Sequence, residues 1–258
     1  MPLPIPDIFG RTALVAGDTM MSLMADTRVL VVGVGGVGSW AVEALVRSGI
    51  GHITIVDSDT VAVSNINRQL PALTTTVGRR KVDVLAERML QINPGLDICP
   101  VCDVYTPENA DTYDLDAYDY IIDAIDTLRC KTELIQRACS SRAQFYSSMG
   151  AARKLHASRI ATAEFRKVEG CPLARALRQR MRRDGTMPRR KFTCVYSPEV
   201  IPNRKSPDAT AGTDGWSHAK ASVNGTFAHT TAIFGFTLAG LVIEDLYNRT
   251  AKSTPEGQ

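Results

Sequence analysis

The glycine-rich loop at residues 33–38 constrains the fold more than any other feature of the sequence. It follows RVLVVG, a run rich in β-branched residues that is typical of a strand buried in a parallel sheet, and it opens a helical pattern. Gly33, Gly35 and Gly38 fit the spacing GxGxxG. With this spacing, backbone N–H groups at the start of the helix lie open to a phosphate group. The loop therefore predicts a nucleotide-binding site at the end of the first strand.

Segments typical of strands and of helices alternate from this loop to about residue 150. The strand patterns lie at residues 28–33, 52–57, 97–102, 118–124 and 144–150, and the helical patterns at 37–48, 79–92 and 128–142. Such alternation predicts an α/β fold, in which helices cover a doubly wound, Rossmann-like and mostly parallel sheet. We assign residues 1–150 to this nucleotide-binding domain.

The regular alternation is lost in the second half of the chain. Residues 159–165 fit an amphipathic strand, residues 172–185 a very basic helix and residues 193–200 a short strand. A stretch rich in Pro, Gly, Ser and Asn at about residues 202–225 predicts a long mobile loop. We therefore expect residues 151–258 to form a C-terminal α+β extension of the same domain.

The cysteine content and the N-terminus indicate a cytoplasmic protein with reduced thiols. Six cysteines are spread through the 258 residues, and the N-terminal MPLPIPDIFG lacks the basic-then-apolar layout of a signal peptide. Cys99 and Cys102 form a CxxC, but a structural zinc site usually needs two such pairs. Two thiols in or beside a strand are the favoured interpretation of this motif.

The apolar segment at residues 227–247 is the one candidate for a membrane span in the sequence. Its uncharged run is marginal in length, and it contains His229, several threonines and two glycines. A buried helix, either in the core or at a dimer interface, is therefore favoured over a membrane anchor.

Polar residues of the kind that bind a nucleotide follow the second predicted strand. Asp57 ends that strand, where a carboxylate accepts hydrogen bonds from ribose hydroxyls. Up to this point the pattern fits NAD or FAD as well as other nucleotides. The residues that come next are Asp59, Asn65, Asn67, Arg68, Gln69 and Lys81.

This set of cations and amides favours one kind of nucleotide chemistry over another. A hydride-transfer site has no general need for it beside the ribose-binding strand, whereas a site that splits a nucleoside triphosphate does. Arg68 and Lys81 would neutralise the phosphates as pyrophosphate leaves. Asp126 follows the strand at 118–124, where a carboxylate can bind Mg²⁺. Each residue alone also fits a surface charge or, for Asp126, a helix N-cap; together they favour ATP.

Four motifs give the sequence a resemblance to a known family. They are GVGGVGS, DSDTVAVSNINRQ, VGRRK and DAID. They resemble the ATP-dependent activating enzymes related to ubiquitin-activating enzyme, among them the bacterial adenylyltransferases for the molybdopterin-synthase and thiamine sulfur carriers. The resemblance implies that ATP, with Mg²⁺, attaches AMP to a carboxylate and releases pyrophosphate.

The resemblance also implies roles for single residues. Gly35 and Gly36 would lie against phosphate, Asp57 would hold the ribose and Asp126 would organise Mg²⁺. The expected nucleotide-binding set is Gly33, Gly35, Gly36, Gly38, Asp57, Asp59, Asn65, Asn67, Arg68, Gln69 and Lys81. The expected catalytic set is Arg11, Arg68, Lys81 and Asp126. Arg11, in FGRTALVAG, matches the position from which dimers of this family insert an arginine into the partner's active site, which implies a homodimer.

The second half resembles one branch of this family, the tRNA threonylcarbamoyladenosine dehydratases. The matching stretches include CPLARALRQRMRRDG, CVYSPE and NGTFAHTTAIFGFTLAG, and the zinc-binding CxxC pair that carrier-activating members carry late in the chain is missing. The branch implies that ATP adenylates the threonyl carboxylate of threonylcarbamoyladenosine, which lies beside the anticodon of ANN-decoding tRNAs. A nucleophile of the same modification would then displace AMP and close a ring with net loss of water, since its effective concentration is high.

The basic helix and the residues after it suit RNA on independent grounds. The cations expected to contact tRNA are Arg175, Arg178, Arg182, Arg183, Arg189 and Arg190. Residues 175, 178 and 182 share a helical face that could follow phosphates and make binding fall with salt. An exposed helix kept soluble by its charge is the alternative. Phe192 and Tyr196 are the candidates for stacking on RNA bases.

Two further questions stay open at the level of the sequence. Cys194 is either an acceptor of the activated acyl group or a small buried apolar residue, and Cys171 stands where relatives carry an acid, which argues against a required thiolate. The rival functions are an adenylyltransferase for a ubiquitin-like sulfur carrier, a non-catalytic adaptor and a nicotinamide redox protein. A sulfur-transfer partner protein is a further possible partner.

Overall fold

The computed structural model describes residues 8–205 and 224–253. Most of the loop expected to be mobile at about residues 202–225 lies outside the described residues. The predicted α/β class is confirmed, because helices flank a sheet in which all neighbouring strands but one pair are parallel.

The strands and helices of the described residues follow one another along the chain with a regular alternation in the first half. In chain order they are α1 (Gly10–Asp26), β1 (Arg28–Val32), α2 (Gly38–Ser48), β2 (His52–Val56), α3 (Lys81–Ile92), β3 (Asp97–Val101), β4 (Tyr120–Asp123), α4 (Leu128–Ser140), β5 (Gln144–Ser148), β6 (Ala161–Glu164), α5 (Pro172–Arg183), β7 (Thr193–Tyr196) and α6 (Ala228–Ser253).

The helix predicted from Arg79 begins two residues later than expected. Arg80 has an extended backbone and pairs with Thr60 in an isolated antiparallel bridge, so the first helical residue is Lys81. The end of α2 is as predicted, because Gly49 adopts a left-handed conformation, with φ of 109°, and its N–H caps the helix.

Within the described part of the chain the sheet has seven strands, in the order β3-β2-β1-β4-β5-β7-β6. Only β6 and β7 pair antiparallel, and both come from the second half of the chain. The order changes direction at β1, which pairs with β2 on one side and β4 on the other. The connections from these strands leave the sheet in opposite directions, so a crevice opens at the carboxyl ends of β1 and β4.

Helix α6 packs on one face of the sheet against α2. A Cβ atom on Gly235 would lie 2.5 Å from the carbonyl oxygen of Val37, so only glycine permits this close approach. Along the same helix Phe234, Leu238 and Val242 are fully buried. By length and hydropathy, residues Ala228–Ala251 could also cross a membrane. The buried face accounts for the apolar composition, as expected of a core helix.

The other face of the sheet is covered by α4 and α5. Phe145, Phe165 and Phe192 form an aromatic cluster there, with ring centroids 4.9 and 5.0 Å from Phe192. Phe192 is 5% exposed. The expectation that Phe192 stacks on RNA bases is therefore wrong, since its ring is occupied by the core.

Candidate functional site

The glycine loop is packed tightly against the end of β4. Gly33 has φ of 89°, and a Cβ atom on it would lie 2.8 Å from the carbonyl oxygen of Ala124. A Cβ atom on Gly38 would lie 1.8 Å from the carbonyl oxygen of Gly33. Any side chain at either position would force the loop open, so these glycines fix the path that brings the loop to the crevice.

Asp57, just after β2, ties the second strand to this loop. Its Oδ2 accepts a hydrogen bond from the backbone N–H of Val34 at 2.8 Å, and its Oδ1 accepts one from the N–H of Asp59 at 2.9 Å. Burial raises the pKa of Asp57, and this effect is opposed first by the charge of Lys81 and then by the N–H of Asp59. A carboxylate has about four lone-pair positions, so acceptor capacity remains for a ligand hydroxyl.

Lys81 places a buried cation beside this carboxylate. Its side chain is 4% exposed, and Nζ lies 2.7 Å from Oδ2 of Asp59, whose side chain is 52% exposed. The backbone N–H of Lys81 also donates to the carbonyl oxygen of Asp59 at 3.0 Å. The cation at the start of α3 is therefore held next to Asp57 and Asp59 by two bonds to one residue.

Arg68 and Asp126 are brought together from distant parts of the chain. Burial lowers the pKa of the Arg68 guanidinium, and the charge of Asp126 opposes that shift. Nη1 of Arg68 donates to the carbonyl oxygen of Ser64 at 2.8 Å and to Oδ1 of Asn67 at 3.0 Å. Asp126 is exposed in the loop after β4, so the crevice contains an oriented cation and an accessible carboxylate.

The amide residues between β2 and α3 are held in different ways. Oδ1 of Asn65 accepts from the N–H of Ala62 at 3.2 Å. Gln69 lies against the loop, with its Nε2 3.5 Å from where a Cβ of Gly35 would be. Gln69 is 8% exposed, and its Oε1 is buried with no hydrogen-bond partner among the described residues. Such an orphaned acceptor requires an explanation, and a bound ligand or water supplies one.

A buried ion pair beneath this site is missing from the sequence-based prediction. Nζ of Lys131 lies 2.7 Å from Oδ2 of Asp123, and both side chains are 0% exposed. Asp123 accepts from the N–H of Ile125 at 3.0 Å, and Lys131 donates to the carbonyl oxygen of Ile125 at 3.1 Å. The pair thus fixes both the backbone N–H and the carbonyl oxygen of Ile125, which directly precedes Asp126. The available signal was helical spacing, which puts Lys131 on the apolar face of α4 with Leu134.

The start of α6 also borders the site, although no local pattern in the sequence predicts this. Nδ2 of Asn67 donates to the carbonyl oxygen of Thr226 at 3.0 Å. Cγ2 of Thr231 lies 3.4 Å from where a Cβ of Gly36 would be, and Cγ of Arg68 lies 3.5 Å from the same point. Residues 226–231 therefore lie against both the glycine loop and the Arg68 segment.

Arg11 makes no contact with the crevice residues of its own chain among the described hydrogen bonds and ion pairs. It is exposed at the start of α1, and its guanidinium forms no hydrogen bond or ion pair with the described residues. Leu14 and Val15 on the same helix are 87% and 77% exposed. Arg11 therefore lies beside two exposed apolar side chains on this helix.

The predicted RNA-binding arginines divide into two groups. Arg178 donates to the carbonyl oxygen of Phe165 at 3.0 Å and lies over the Phe165 ring, and Arg190 donates to the carbonyl oxygens of Ser141 and Ala143. These three hydrogen bonds hold the extension together and tie it to the segment between α4 and β5. The other four arginines are exposed, namely Arg175, Arg182, Arg183 and Arg189, and Arg183 pairs with Asp184 at 2.9 Å.

The cysteines are divided between surface and core. Cys194 is 0% exposed, and burial raises the pKa of its thiol well above the usual value. Cys171 is 3% exposed, so neither thiol is placed to act as a nucleophile. Cys99 and Cys102 are exposed in and after β3, and the described residues contain no cluster of three or more metal-ligating side chains.

Comparison with known proteins agrees with this architecture. The ThiF family model matches residues 9–256. The tRNA threonylcarbamoyladenosine dehydratase of Escherichia coli strain K12 is 36% identical over 254 residues, which cover 95% of this chain and 95% of that protein. The crystal structure of E. coli tRNA N6-threonylcarbamoyladenosine dehydratase in complex with ATP is similar with a TM-score of 0.83 and 34% identity, covering 98% of this chain and 100% of that one.

Similarity to the sulfur-carrier enzymes is more limited. The molybdopterin-synthase adenylyltransferase of E. coli strain K12 is 36% identical over 112 residues, which cover 43% of this chain and 44% of that protein. The family model, by contrast, extends through the glycine loop, the crevice and the C-terminal extension. The chain therefore belongs to the ThiF family.

Proposed function

We propose that this protein is an ATP-dependent tRNA threonylcarbamoyladenosine dehydratase. The observation that carries the proposal is similarity, over nearly the full length of both chains, to a dehydratase that binds ATP. The crevice supports it with a glycine loop, a carboxylate at the end of β2 and two cations held by ion pairs or by electrostatic contact with acids.

In the first step, ATP binds across the carboxyl ends of β1, β2 and β4. Asp57 accepts hydrogen bonds from the ribose, while Gly35 and Gly36 approach the phosphates. Arg68 and Lys81 neutralise the triphosphate. An oxygen of the threonyl carboxylate attacks the α-phosphorus, and pyrophosphate leaves with the electrons of the broken P–O bond. The product is an acyl-adenylate.

The residues present fit Mg²⁺ held chiefly by phosphate. Asp126 presents one exposed carboxylate at the crevice, and the described residues offer no cluster of acids that would form a cage. Mg²⁺ at ATP sites usually takes one or two carboxylates together with phosphate oxygens and water. Asp126 would hold the ion, which supplies charge neutralisation on the departing pyrophosphate when bound.

In the second step, a nucleophile of the threonylcarbamoyl group attacks the activated carbonyl carbon. AMP leaves, the proton of the nucleophile passes to solvent, and a ring closes. No protein thiol enters this scheme, in keeping with the burial of Cys194 and Cys171. The gain in rate comes from the nucleophile being attached to the same side chain as the electrophile.

The exposed arginines of the extension would hold the tRNA. We assign the phosphate contacts to Arg175, Arg182, Arg183 and Arg189, and we give Arg178 and Arg190 a structural role because their guanidinium groups bond to backbone carbonyls. Contacts of this kind position the RNA without reading its sequence.

We further propose a cytoplasmic homodimer in which Arg11 enters the partner's crevice. The exposed Leu14 and Val15 beside Arg11 support a covered α1 surface. A sulfur-transfer protein is a further candidate partner. We assign ATP binding to residues 1–150 and tRNA binding to the extension at residues 151–258.

The experiment that tests the proposed substrate measures AMP released from ATP. We expect AMP only with tRNA that carries threonylcarbamoyladenosine, and none with the same tRNA lacking the modification. AMP release that depends instead on a small protein with a free C-terminal Gly-Gly would contradict the proposal and favour a sulfur-carrier adenylyltransferase.

A further inference from the structure

The start of helix α6 carries two exposed aromatic rings beside the crevice. The Phe227 side chain is 50% exposed, and the His229 ring lies with its centroid 5.7 Å away at an interplanar angle of 36°. Neither ring belongs to the core, in contrast to Phe192. We call these two residues the Phe227–His229 platform.

The backbone beneath the platform is fixed from three directions. The N–H of Arg153 donates to the carbonyl oxygen of Gly225 at 2.9 Å, and Oδ1 of Asn203 accepts from the N–H of Gly225 at 3.0 Å. Asn67 donates to the carbonyl oxygen of Thr226 at 3.0 Å. An exposed aromatic ring on a backbone held in this way loses little conformational freedom when it binds a ligand.

The His229 ring is oriented as well. Its Nε2 lies 2.9 Å from the carbonyl oxygen of Leu155. Because a carbonyl only accepts hydrogen bonds, Nε2 carries the proton and donates. The ring is therefore held beside Phe227, and the two rings present adjacent aromatic surfaces.

The platform lies at the edge of the site where the acyl group must be activated. Thr231 contacts the position of Gly36 in the glycine loop, and Thr226 is bonded to Asn67 next to Arg68. Phe227 and His229 lie in this same stretch of residues. A nucleoside that delivers its carboxylate to the α-phosphate of ATP at this loop brings its own or a neighbouring base to the platform.

We propose that the Phe227–His229 platform binds an unstacked base of the anticodon loop by aromatic stacking. The proposal rests on the proposed function. Single-stranded RNA is recognised by aromatic rings combined with cations, and the exposed Arg204 follows Asn203, whose side chain accepts from the N–H of Gly225. Leu155, 43% exposed, adds an apolar edge. The chemistry that fits is a flat heteroaromatic base followed by a phosphate.

The test compares Phe227→Leu, Phe227→Trp and a control, Tyr247→Leu, which removes an aromatic ring that is 48% exposed further along α6. Binding of fluorescently labelled tRNA carrying the modification is measured by anisotropy without ATP. We expect Phe227→Leu to raise Kd for tRNA roughly 5- to 150-fold, the range that base–aromatic stacking contributes. Phe227→Trp and Tyr247→Leu should keep the wild-type Kd, and KM for ATP should stay unchanged in all three.

Two outcomes overturn the proposal, and neither depends on turnover. One is wild-type Kd for tRNA in Phe227→Leu. The other is an equal loss in Phe227→Leu and Phe227→Trp, since that would mean the native side chain only supports local packing. A wild-type protein that binds tRNA but forms no AMP would instead contradict the proposed function and leave the stacking result to stand by itself.

Discussion

At the residue scale, the proposed chemistry depends on charges that come from separate loops. Arg68 lies between β2 and α3, and Asp126 follows β4, yet the two charges interact in the folded chain. Lys81 is also paired with an acid, because its Nζ contacts Oδ2 of Asp59 directly. A triphosphate would exchange these internal pairings for contacts with its own oxygens and with its metal ion.

Asp126→Ala is therefore expected to reduce AMP formation on the order of 100-fold or more, because the carboxylate acts where charge develops as pyrophosphate leaves. The rate is measured with modified tRNA, and circular dichroism checks the fold. The matched control is Asp111→Ala, which removes an acid that is 87% exposed and paired with Arg137. Equal activity of the two variants would remove Asp126 from the mechanism.

At the element scale, the loop after β4 depends on the buried pair of Asp123 and Lys131. Both partners are fully buried and hydrogen-bonded to Ile125, and Asp123 also accepts from Ser147. Removing one partner of a buried pair strongly destabilises the folded protein, because the remaining charge is left without compensation.

Lys131→Met is expected to lower the free energy of unfolding by about 3–5 kcal/mol. The control on the same helix is Arg129→Ala, whose ion pair with Glu108 is exposed on both sides and should contribute about 1 kcal/mol or less. Chemical denaturation of both variants gives the comparison. Similar losses in the two would show that the buried pair has no special role in holding the β4 loop.

The extension offers a second test at this scale, through the salt dependence of tRNA binding. Arg175→Ala combined with Arg182→Ala should weaken tRNA binding and reduce the slope of log K against log salt by about two, one for each phosphate contact. ATP binding should be unchanged. A fall in ATP affinity instead would mean that α5 supports the crevice and does not face the RNA.

The sequence predicts some elements better than others for physical reasons. The strands and the glycine loop follow from local patterns, because a buried parallel strand is a continuous apolar run and the close packing around Gly33 and Gly38 excludes side chains. The buried pair under the β4 loop and the neighbours of Gly36 depend on contacts across the chain. Thr231 meets Gly36 from a helix far along the sequence, and no local pattern predicts such a contact.

The same reason explains the error at Phe192. An aromatic residue after a run of arginines has the composition of an RNA-binding surface, but only the pairing of β7 with β5 and β6 shows that its ring contacts Phe145 and Phe165. Conversely, Phe227 lies in an apolar segment that the sequence indicates as buried, and it is half exposed because it precedes the packed part of α6.

At the scale of the whole molecule, the proposed dimer predicts complementation between inactive variants. Arg11→Ala and Asp126→Ala should each be inactive alone. After equilibration of equal amounts, half of the dimers contain one chain of each kind, and one of their two sites is intact, so about a quarter of wild-type activity returns if Arg11 acts in the partner's site. No recovery in a mixture shown to exchange subunits would place Arg11 in its own chain's site.

The measurement that tests the central claim most directly is nucleoside mass spectrometry of tRNA carrying threonylcarbamoyladenosine. The tRNA is incubated with the purified protein, ATP and Mg²⁺ and digested under mild conditions, because a strained ring can reopen. The account predicts a nucleoside lighter by one water, formed only with ATP, matched by AMP and absent with Asp126→Ala. An unchanged nucleoside, from protein that demonstrably binds ATP and the tRNA, would contradict it.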